Sequence, residues 1–356
     1  MMKKQIHYLE PPNLTENNIY KKIICNRPLR NGGFHLYIEN KKNQIIIHNY
    51  GHGGSGITLA PGSVEYIYDK LLQNYSINKK EKIVIIGAGI IGLYTAYKLL
   101  LNGFYNLEIM ADSLNNTTSN NAGSIFGIIG MNNNISINKL ITKLLPISYE
   151  FYKNIAKGNN HNIRNGVINT YTYYDEQFFL KNYQLYNDFY KTYNFEEIIL
   201  DFHKGRAVNA IACKNGLFID SNKIINHLLE FIKKHKISIN INKINDLNNI
   251  SNRIIFNCTG SHSKYLNNDN NIVNLYGHIL LLKHTKKNIP LYNIIYNINN
   301  PDYFIYYCPK NIFIDNQIYC GVIGGTLYRN LSYNENIFNK LLEINKKFYG
   351  INGIIT

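Results

Sequence analysis

Tryptophan is absent from the 356 residues, and Lys, Asn, Ile and Tyr are abundant throughout. No run of five or more Lys/Arg occurs, although Lys+Arg outnumber Asp+Glu 38 to 23. A solvated surface carrying compositional bias accounts for the formal charge of +15 better than a nucleic-acid face, which would cluster its basic residues with aromatics. The five cysteines, Cys25, Cys213, Cys258, Cys308 and Cys320, form no C-x-x-C pair. Their spacing speaks against a structural zinc site or a disulfide framework, and suits a reducing cytosol. The opening MMKKQIHYLEPPNL has no apolar core, so no signal peptide is expected there. No internal repeat is visible. The longest apolar run, Ile83 to Leu101, approaches the ~20 residues of a membrane span. Patterned glycines and Lys98 interrupt it, and strand-turn-helix describes it better.

Apolar content is 45%, enough for a globular chain with a sizeable core. Ile45 to Ile47 is a short apolar run before a Gly-rich turn, and Val64, Ile67, Tyr68 and Leu71 then follow helical spacing, with Pro61 in the first turns. NYSINKKE, residues 74–81, is a polar connector. Ile83 to Ile86 reads as a buried strand, Ile90 to Leu101 as a helix and Leu107 to Ala111 as a second strand. Residues 150–210 alternate in stretches such as VINTYTYY and suit an antiparallel sheet. Ile224, Ile225, Leu228, Leu229 and Ile232 share a helix face capped by Asp220 or Ser221. Short β runs between residues 275 and 325 imply a second sheet, and a closing helix spans residues 334–348.

Gly87, Gly89 and Gly92 form G-x-G-x-x-G between the strand and the helix. The first glycine permits the tight turn, the second lets the backbone approach a pyrophosphate, and the third packs helix on strand. The free N–H groups of the helix start would then face the phosphates. Asp112 ends the next strand, about 20 residues past Gly92, where an acid can bind a ribose hydroxyl. Glu108 competes for that role but lies mid-strand. This fingerprint does not distinguish NAD from FAD.

Other motifs do. NYGHGGSGIT, Asn49 to Thr58, resembles the C-terminal flavin-contacting motif of the D-amino acid oxidase and glycine oxidase-like family of FAD-dependent oxidoreductases. VIIGAGIIGL and IMAD are similar to that family's first strands, TTSNNAGSIFG to its loop along the flavin, and IIFNCTG to its I-V-N-C-T-G turn. CNRPLRNGG resembles its R-P-x-R segment, and GITLAP is nearer the glycine and sarcosine oxidase branch. In the family R-P-x-R and H-G-G-x-G come last, whereas here they come first. The expectation is a circularly permuted chain, with Met1 and Thr356 close together and residues 74–81 joining the usual ends.

The resemblance implies an α/β fold: a Rossmann-type FAD-binding domain and a second, mainly antiparallel β-sheet substrate domain. The former is assigned residues 1–149, 206–264 and 321–356, the latter 150–205 and 265–320. It implies FAD as cofactor, held by Gly87, Gly89, Ile90, Ile91, Gly92, Asp112, Thr118, Ser119, Ala122, Gly123, Ile244, Cys258, Thr259, Gly260 and by Gly53, Gly54, Ser55, Gly56, Ile57 and Thr58. The implied reaction is oxidation of an amino acid to an imine, with hydride leaving Cα–H for flavin N5 and O2 as acceptor; the alternative is a glycine- or sarcosine-type or tailoring amine oxidase or dehydrogenase of the same superfamily. Arginine suits a carboxylate because its planar fork makes two parallel bonds. Arg27 is the first candidate, Arg30 the second, and Tyr306 resembles a family tyrosine that meets the same carboxylate. A second family tyrosine falls on Asp302, and Ser55 replaces a bulkier residue. His52 reads as a turn residue and Cys258 as a packing one, since nothing nearby would activate its thiol. No metal, membrane or nucleic-acid partner is expected, and a homodimer is compatible with the sequence. An NAD(P) dehydrogenase fits H-G-G-S-G and N-C-T-G poorly, and a non-catalytic flavin protein would lack a substrate arginine.

Overall fold

A computed structural model of the chain describes residues 4–41, 43–131, 134–203, 206–284, 289–312, 319–329 and 334–351. The chain begins with strands β1 (Gln5–Tyr8), β2 (Ile19–Arg30), β3 (His35–Lys41) and β4 (Gln44–Tyr50). Then come helix α1 (Gly56–Asn74), β5 (Ile83–Ile86), α2 (Ile90–Leu101), β6 (Leu107–Ala111), the short α3 (Thr118–Asn121) and α4 (Ile135–Ala156). The middle holds β7 (Val167–Tyr174), α5 (Glu176–Leu185), α6 (Asn187–Tyr190), β8 (Phe195–Asp201), β9 (Ala207–Ile219) and α7 (Ser221–Lys234). The remainder is β10 (Ser238–Ile241), β11 (Ile254–Asn257), α8 (Ser263–Leu266), β12 (Ile272–His284), β13 (Asn293–Asn297), β14 (Tyr303–Lys310), β15 (Tyr319–Thr326) and α9 (Glu335–Phe348).

One sheet has six strands in the order β10-β6-β5-β11-β4-β3. All its pairings are parallel except the β3–β4 hairpin. Parallel strands are covered on both faces, and β5 is accordingly four consecutive buried apolar residues. β11 lies between β4 and β5, parallel to both. The turns that leave β4, β5 and β11 therefore emerge side by side at the carboxyl edge, where open α/β sheets bind ligands. Chain order places β4 before β5, but the sheet brings their turns together.

The other sheet has nine strands, β1-β8-β9-β7-β13-β14-β15-β12-β2. It is antiparallel apart from the β1–β8 and β7–β13 pairs. The expected division of the chain does not follow the sheets. β1, β2, β9 and most of β15 fall in segments assigned by sequence to FAD binding, yet they pair within this second sheet. The reason is that β2 extends through the R-P-x-R segment as the edge partner of β12, and β9 pairs with β7 and β8.

Two helices carry proline. α1 begins at Gly56, earlier than its apolar spacing indicates, and holds Pro61. α4 holds Pro146 and buries Ile141, Leu144, Leu145, Tyr149, Tyr152 and Ile155. Its buried face runs unbroken past Pro146, which is exposed on the opposite side, but a proline in mid-segment is a helix-breaking signal and hid the helix in the sequence. α1 and α4 meet at Gly62, where a Cβ would stand 2.3 Å from the Leu144 carbonyl. The Gly62 N–H donates to Ser148 Oγ at 2.9 Å, a close approach that fixes the helix crossing. The expected α7 is capped by Asp220, whose side chain accepts the Lys223 N–H. Residues 150–210 contain the antiparallel strands expected there, but also α5, α6 and the end of α4. Among the described residues no helix is long and apolar enough to cross a membrane.

Candidate active site

A cavity of about 420 Å³ opens where the three carboxyl-edge turns face the nine-stranded sheet. Gly87 has φ +104°, and a Cβ there would meet the Cys258 carbonyl oxygen at 2.5 Å. At Gly92 a Cβ would fall 1.9 Å from the Gly87 oxygen, so α2 can start this close to β5 only without a side chain. A Cβ at Gly89 would meet only Ser119 Oγ, at 3.4 Å, which leaves the backbone open to the cavity. The Ile90 N–H at the helix start donates to Ser119 Oγ. Asp112 lines the cavity beyond β6. Glu108 does not: it is buried against Lys82 and Asn240.

The second glycine turn is built differently. Gly51 and Gly53 have positive φ, and a 3-10 turn from Gly53 to Ser55 leads into α1. Gly53, Gly54, Gly56, Ile57 and Thr58 line the cavity, but Ser55 does not. Ser55 Oγ donates to the Ile129 carbonyl at 3.0 Å and accepts the Ile129 N–H at 2.8 Å. Thr58 Oγ1 does the same with Gly127, at 3.0 and 3.1 Å. Each hydroxyl thus occupies the place of a peptide in a strand ladder. The Gly54 N–H adds a bond to the Gly130 carbonyl at 3.1 Å.

His52 is 2% exposed, is stacked on Phe34, and has no hydrogen-bond partner on either ring nitrogen. Burial drives its pKa down to about 3, so it is neutral. Burial raises the Cys258 pKa to about 12, with Thr95 opposing the shift, and keeps this thiol protonated.

The turn after β11 is fixed from behind. Glu39 Oε2 meets His48 Nε2 at 3.1 Å, and His48 Nδ1 lies 3.3 Å from Asn257 Nδ2. Asn257 Oδ1 accepts from both the N–H and the hydroxyl of Thr259. Thr259 and Gly260 line the cavity with Cys258, and Ile244 faces them from the segment after β10. Ile244 is tied to the turn through its carbonyl, which takes His262 Nε2 at 2.9 Å.

The fourth wall is the loop from Thr117 to Gly123. Thr117 and Asn120 close a reciprocal capping box, and Thr118 Oγ1 donates to the Asn26 carbonyl. Thr118, Ser119, Ala122 and Gly123 all line the cavity.

The nine-stranded sheet supplies Arg27, Tyr306, Phe304 and Ile279. The Arg27 guanidinium lies flat over β12 at Gly277, where a Cβ would be 2.3 Å from Nη1. Its Nη1 donates to the Thr326 carbonyl at 3.0 Å. Burial lowers its pKa, opposed by Cys25 and Tyr306, and among the described residues no Asp or Glu pairs with it. Tyr306 accepts the Ile125 N–H at 3.4 Å, and burial raises its phenol pKa well above the ordinary value. Arg30 turns away from the cavity. It forms an ion pair with Asp269 at 2.7 Å, and the Tyr50 hydroxyl donates to the same carboxylate oxygen. Its alternation with Arg27 on the β2 strand accounts for the opposite face.

Thus the sequence candidates converge on one cavity, apart from Arg30, Ser55 and Gly92, which support its walls. Asp302 is exposed and does not line it. Sequence reasoning missed Phe304, Ile279, Ile125 and Ile129, apolar wall residues with no motif to mark them. It also missed Asn242 and Lys243, which the carboxyl-edge position of β10 could have indicated. Among the described residues no His/Cys/Asp/Glu group could hold a metal ion.

The residues fit FAD. An open glycine backbone at Gly89, a helix start, an acid beyond the second strand and a cavity between two sheets are the requirements of a dinucleotide. The family model for FAD-dependent oxidoreductases (DAO) matches residues 82–351. Glycine oxidase from Bacillus cereus is similar in structure, with TM-score 0.51 at 14% identity over 75% of this chain and 77% of that one. L-proline dehydrogenase from P. horikoshii gives TM-score 0.53 at 15% identity, covering 76% and 77%. Glycine oxidase from Geobacillus kaustophilus gives 0.52 at 12%, covering 75% and 77%. These structural likenesses concern the fold. No curated protein matches the sequence. With the family match extending over residues 82–351, the chain belongs to the DAO family of FAD-dependent oxidoreductases.

Proposed function

We propose that the protein oxidises the CH–NH group of an amino acid to an imine, the hydride leaving Cα and the proton leaving nitrogen, with O2 as the final electron acceptor and peroxide as its product. Arg27 carries this reading: it is a guanidinium in a cavity wall with no acidic partner among the described residues, and its surroundings already disfavour the charged form. A substrate carboxylate would supply the missing anion through two parallel bonds. The neighbouring Tyr306 hydroxyl offers a further donor to the same group. When bound, FAD supplies the two-electron acceptor that takes hydride from the substrate Cα.

The chain's part is to hold and to exclude. Phe304, Ile279, Ile125 and Ile129 form an apolar wall beside Arg27 and Tyr306 and keep water out. Asp112, the one acid among the described lining residues, lies beyond β6 and would take the ribose. His52 has too low a pKa to keep a proton at neutral pH. Orientation therefore has the larger share of the work, and a proton-transferring side chain the smaller.

The experiment is anaerobic mixing of the holoenzyme with a panel of amino acids and amines, followed at the flavin absorbance, with peroxide detection in air. Arg27→Ala is expected to retain FAD and to slow flavin reduction by about 10- to 100-fold, the loss of a charge-assisted contact. Arg27→Lys should restore only part of the rate. Equal reduction of all three proteins by the preferred substrate would exclude a carboxylate clamp at this position.

A further inference from the structure

Behind the cofactor loop, three side chains of the nine-stranded sheet take up four successive backbone carbonyls. Lys310 Nζ donates to the Asn120 carbonyl at 3.0 Å and to the Ala122 carbonyl. Cys25 Sγ donates to the Asn121 carbonyl between them at 3.3 Å, and Cys308 Sγ donates to the Gly123 carbonyl at 3.0 Å. Lys310 and Cys308 are on β14 and Cys25 is on β2. Lys310 is 3% exposed and also contacts Ser221 Oγ at 3.4 Å. A buried ammonium is costly unless hydrogen-bonded.

A trans peptide sets the N–H of one residue opposite the C=O of the residue before it. With the carbonyls of Asn121, Ala122 and Gly123 held on the sheet, the N–H groups of Ala122, Gly123 and Ser124 are turned to the other side. These three residues line the cavity. We propose that Lys310, assisted by the Cys25 and Cys308 thiols, is the positioning residue that orients a row of peptide N–H groups toward the flavin. Its own ammonium does not line the cavity and acts through the loop. Such oriented dipoles favour the negative charge that a flavin gains on reduction.

Both thiols serve as neutral donors: burial raises the Cys25 pKa, against Arg27 and Lys310, and brings that of Cys308 to about 12. The proposal rests on FAD as cofactor and is independent of the amino acid substrate.

The test uses holoenzyme. Lys310→Met removes two donors to the loop while keeping the apolar stem. FAD dissociation on dilution, read by recovery of free-flavin fluorescence, is expected to accelerate about 10- to 100-fold. The flavin midpoint potential should become more negative, and its visible bands should shift. A second pair keeps the outcome decisive if Lys310→Met fails to fold. Cys308→Ser, which retains a donor, should hold potential and dissociation rate near the wild type, whereas Cys308→Ala should move both in the direction of Lys310→Met. Unchanged potential and dissociation rate in Lys310→Met would overturn the proposal, even with a lower Tm. So would equal behaviour of Cys308→Ala and Cys308→Ser.

Discussion

The Gly87–Gly92 turn and the Gly51–Gly56 turn flank the same strand, β11, and each leads from a parallel strand into a helix. They resemble one another in composition but not in work. In the first, the glycines remove atoms so that backbone can approach backbone at Gly87 and Gly92 and stays open to the cavity at Gly89. In the second, the residues that follow the glycines add bonds: Ser55 and Thr58 hold residues 127–129 by reciprocal hydrogen bonds. The first turn is a cradle. The second is also a clasp between the chain's opening segment and the loop that continues from the cofactor wall. Glycine richness alone does not separate these roles; the hydroxyls next to it do.

The largest expected effect lies in the cradle. Gly87→Ala combines a left-handed backbone, φ +104°, with a Cβ 2.5 Å from a carbonyl oxygen. Strain of that kind costs about 1–3 kcal/mol, before any repacking of the turn. The variant is expected to purify without flavin and with a lowered Tm. Full flavin content by absorbance would show that the first turn tolerates a side chain and that the contrast with the second is mistaken.

The clasp should respond differently. Ser55→Ala leaves the Ile129 N–H without its partner, and Thr58→Val does so for Gly127. Each should lower stability by about 1–3 kcal/mol, the penalty of a buried group left unsatisfied. Hydrogen exchange should rise in residues 127–130 while the Gly87 turn stays protected. If exchange instead rises in both turns together, they form one cooperative unit and the distinction between cradle and clasp is lost.

The cradle was legible in the sequence because its chemistry is local: strand, glycines, helix, strand and Asp112 succeed one another within one βαβ stretch. Arg27, Tyr306 and the H-G-G-S-G turn came from resemblance, and their meeting in space could not be read from spacing, since β2 and β14 are remote in sequence. The odd spacing of Arg27 and Arg30 on β2 sets them on opposite faces, but which of the two meets the cavity depends on strand register against β12, which no local pattern specifies. α4 was hidden by Pro146, and the clasp by the fact that a serine and a threonine in a Gly-rich turn look like ligand donors. The carbonyl hold by Lys310 was hidden for the same reason as Arg27: its partners lie 188 and 190 residues away.

The smallest effect is expected from changing the order of the two turns. We propose that the chain is a circular permutation of its family's usual order. Three observations support this reading: the family match starts at residue 82, after both early motifs; β4 and β5 nevertheless flank β11; and both turns line one cavity. At the other junction, Leu9 and Leu14 pack in the same apolar cluster as Phe348, Tyr349 and Ile351. Met1 and Thr356, expected to lie close together, are themselves outside the described residues. A gene that starts near Lys79, ends near Asn74 and joins Thr356 to Met1 through a short Gly/Ser linker keeps every contact named above. The cut falls in a largely exposed connector that packs Tyr75 and Ile77 partly against the core and that Arg253 touches through the Ser76 carbonyl and Glu81. Contacts fix the energy minimum, and moving the break changes chiefly loop-closure entropy, about 0.6 kcal/mol for each doubling of loop length. The rearranged protein should therefore bind FAD with a similar dissociation rate and melt within a few degrees of the original. A soluble product that has lost FAD, while Ser55→Ala in the original order still keeps it, would mean that the link from α1 to β5 is itself part of the site.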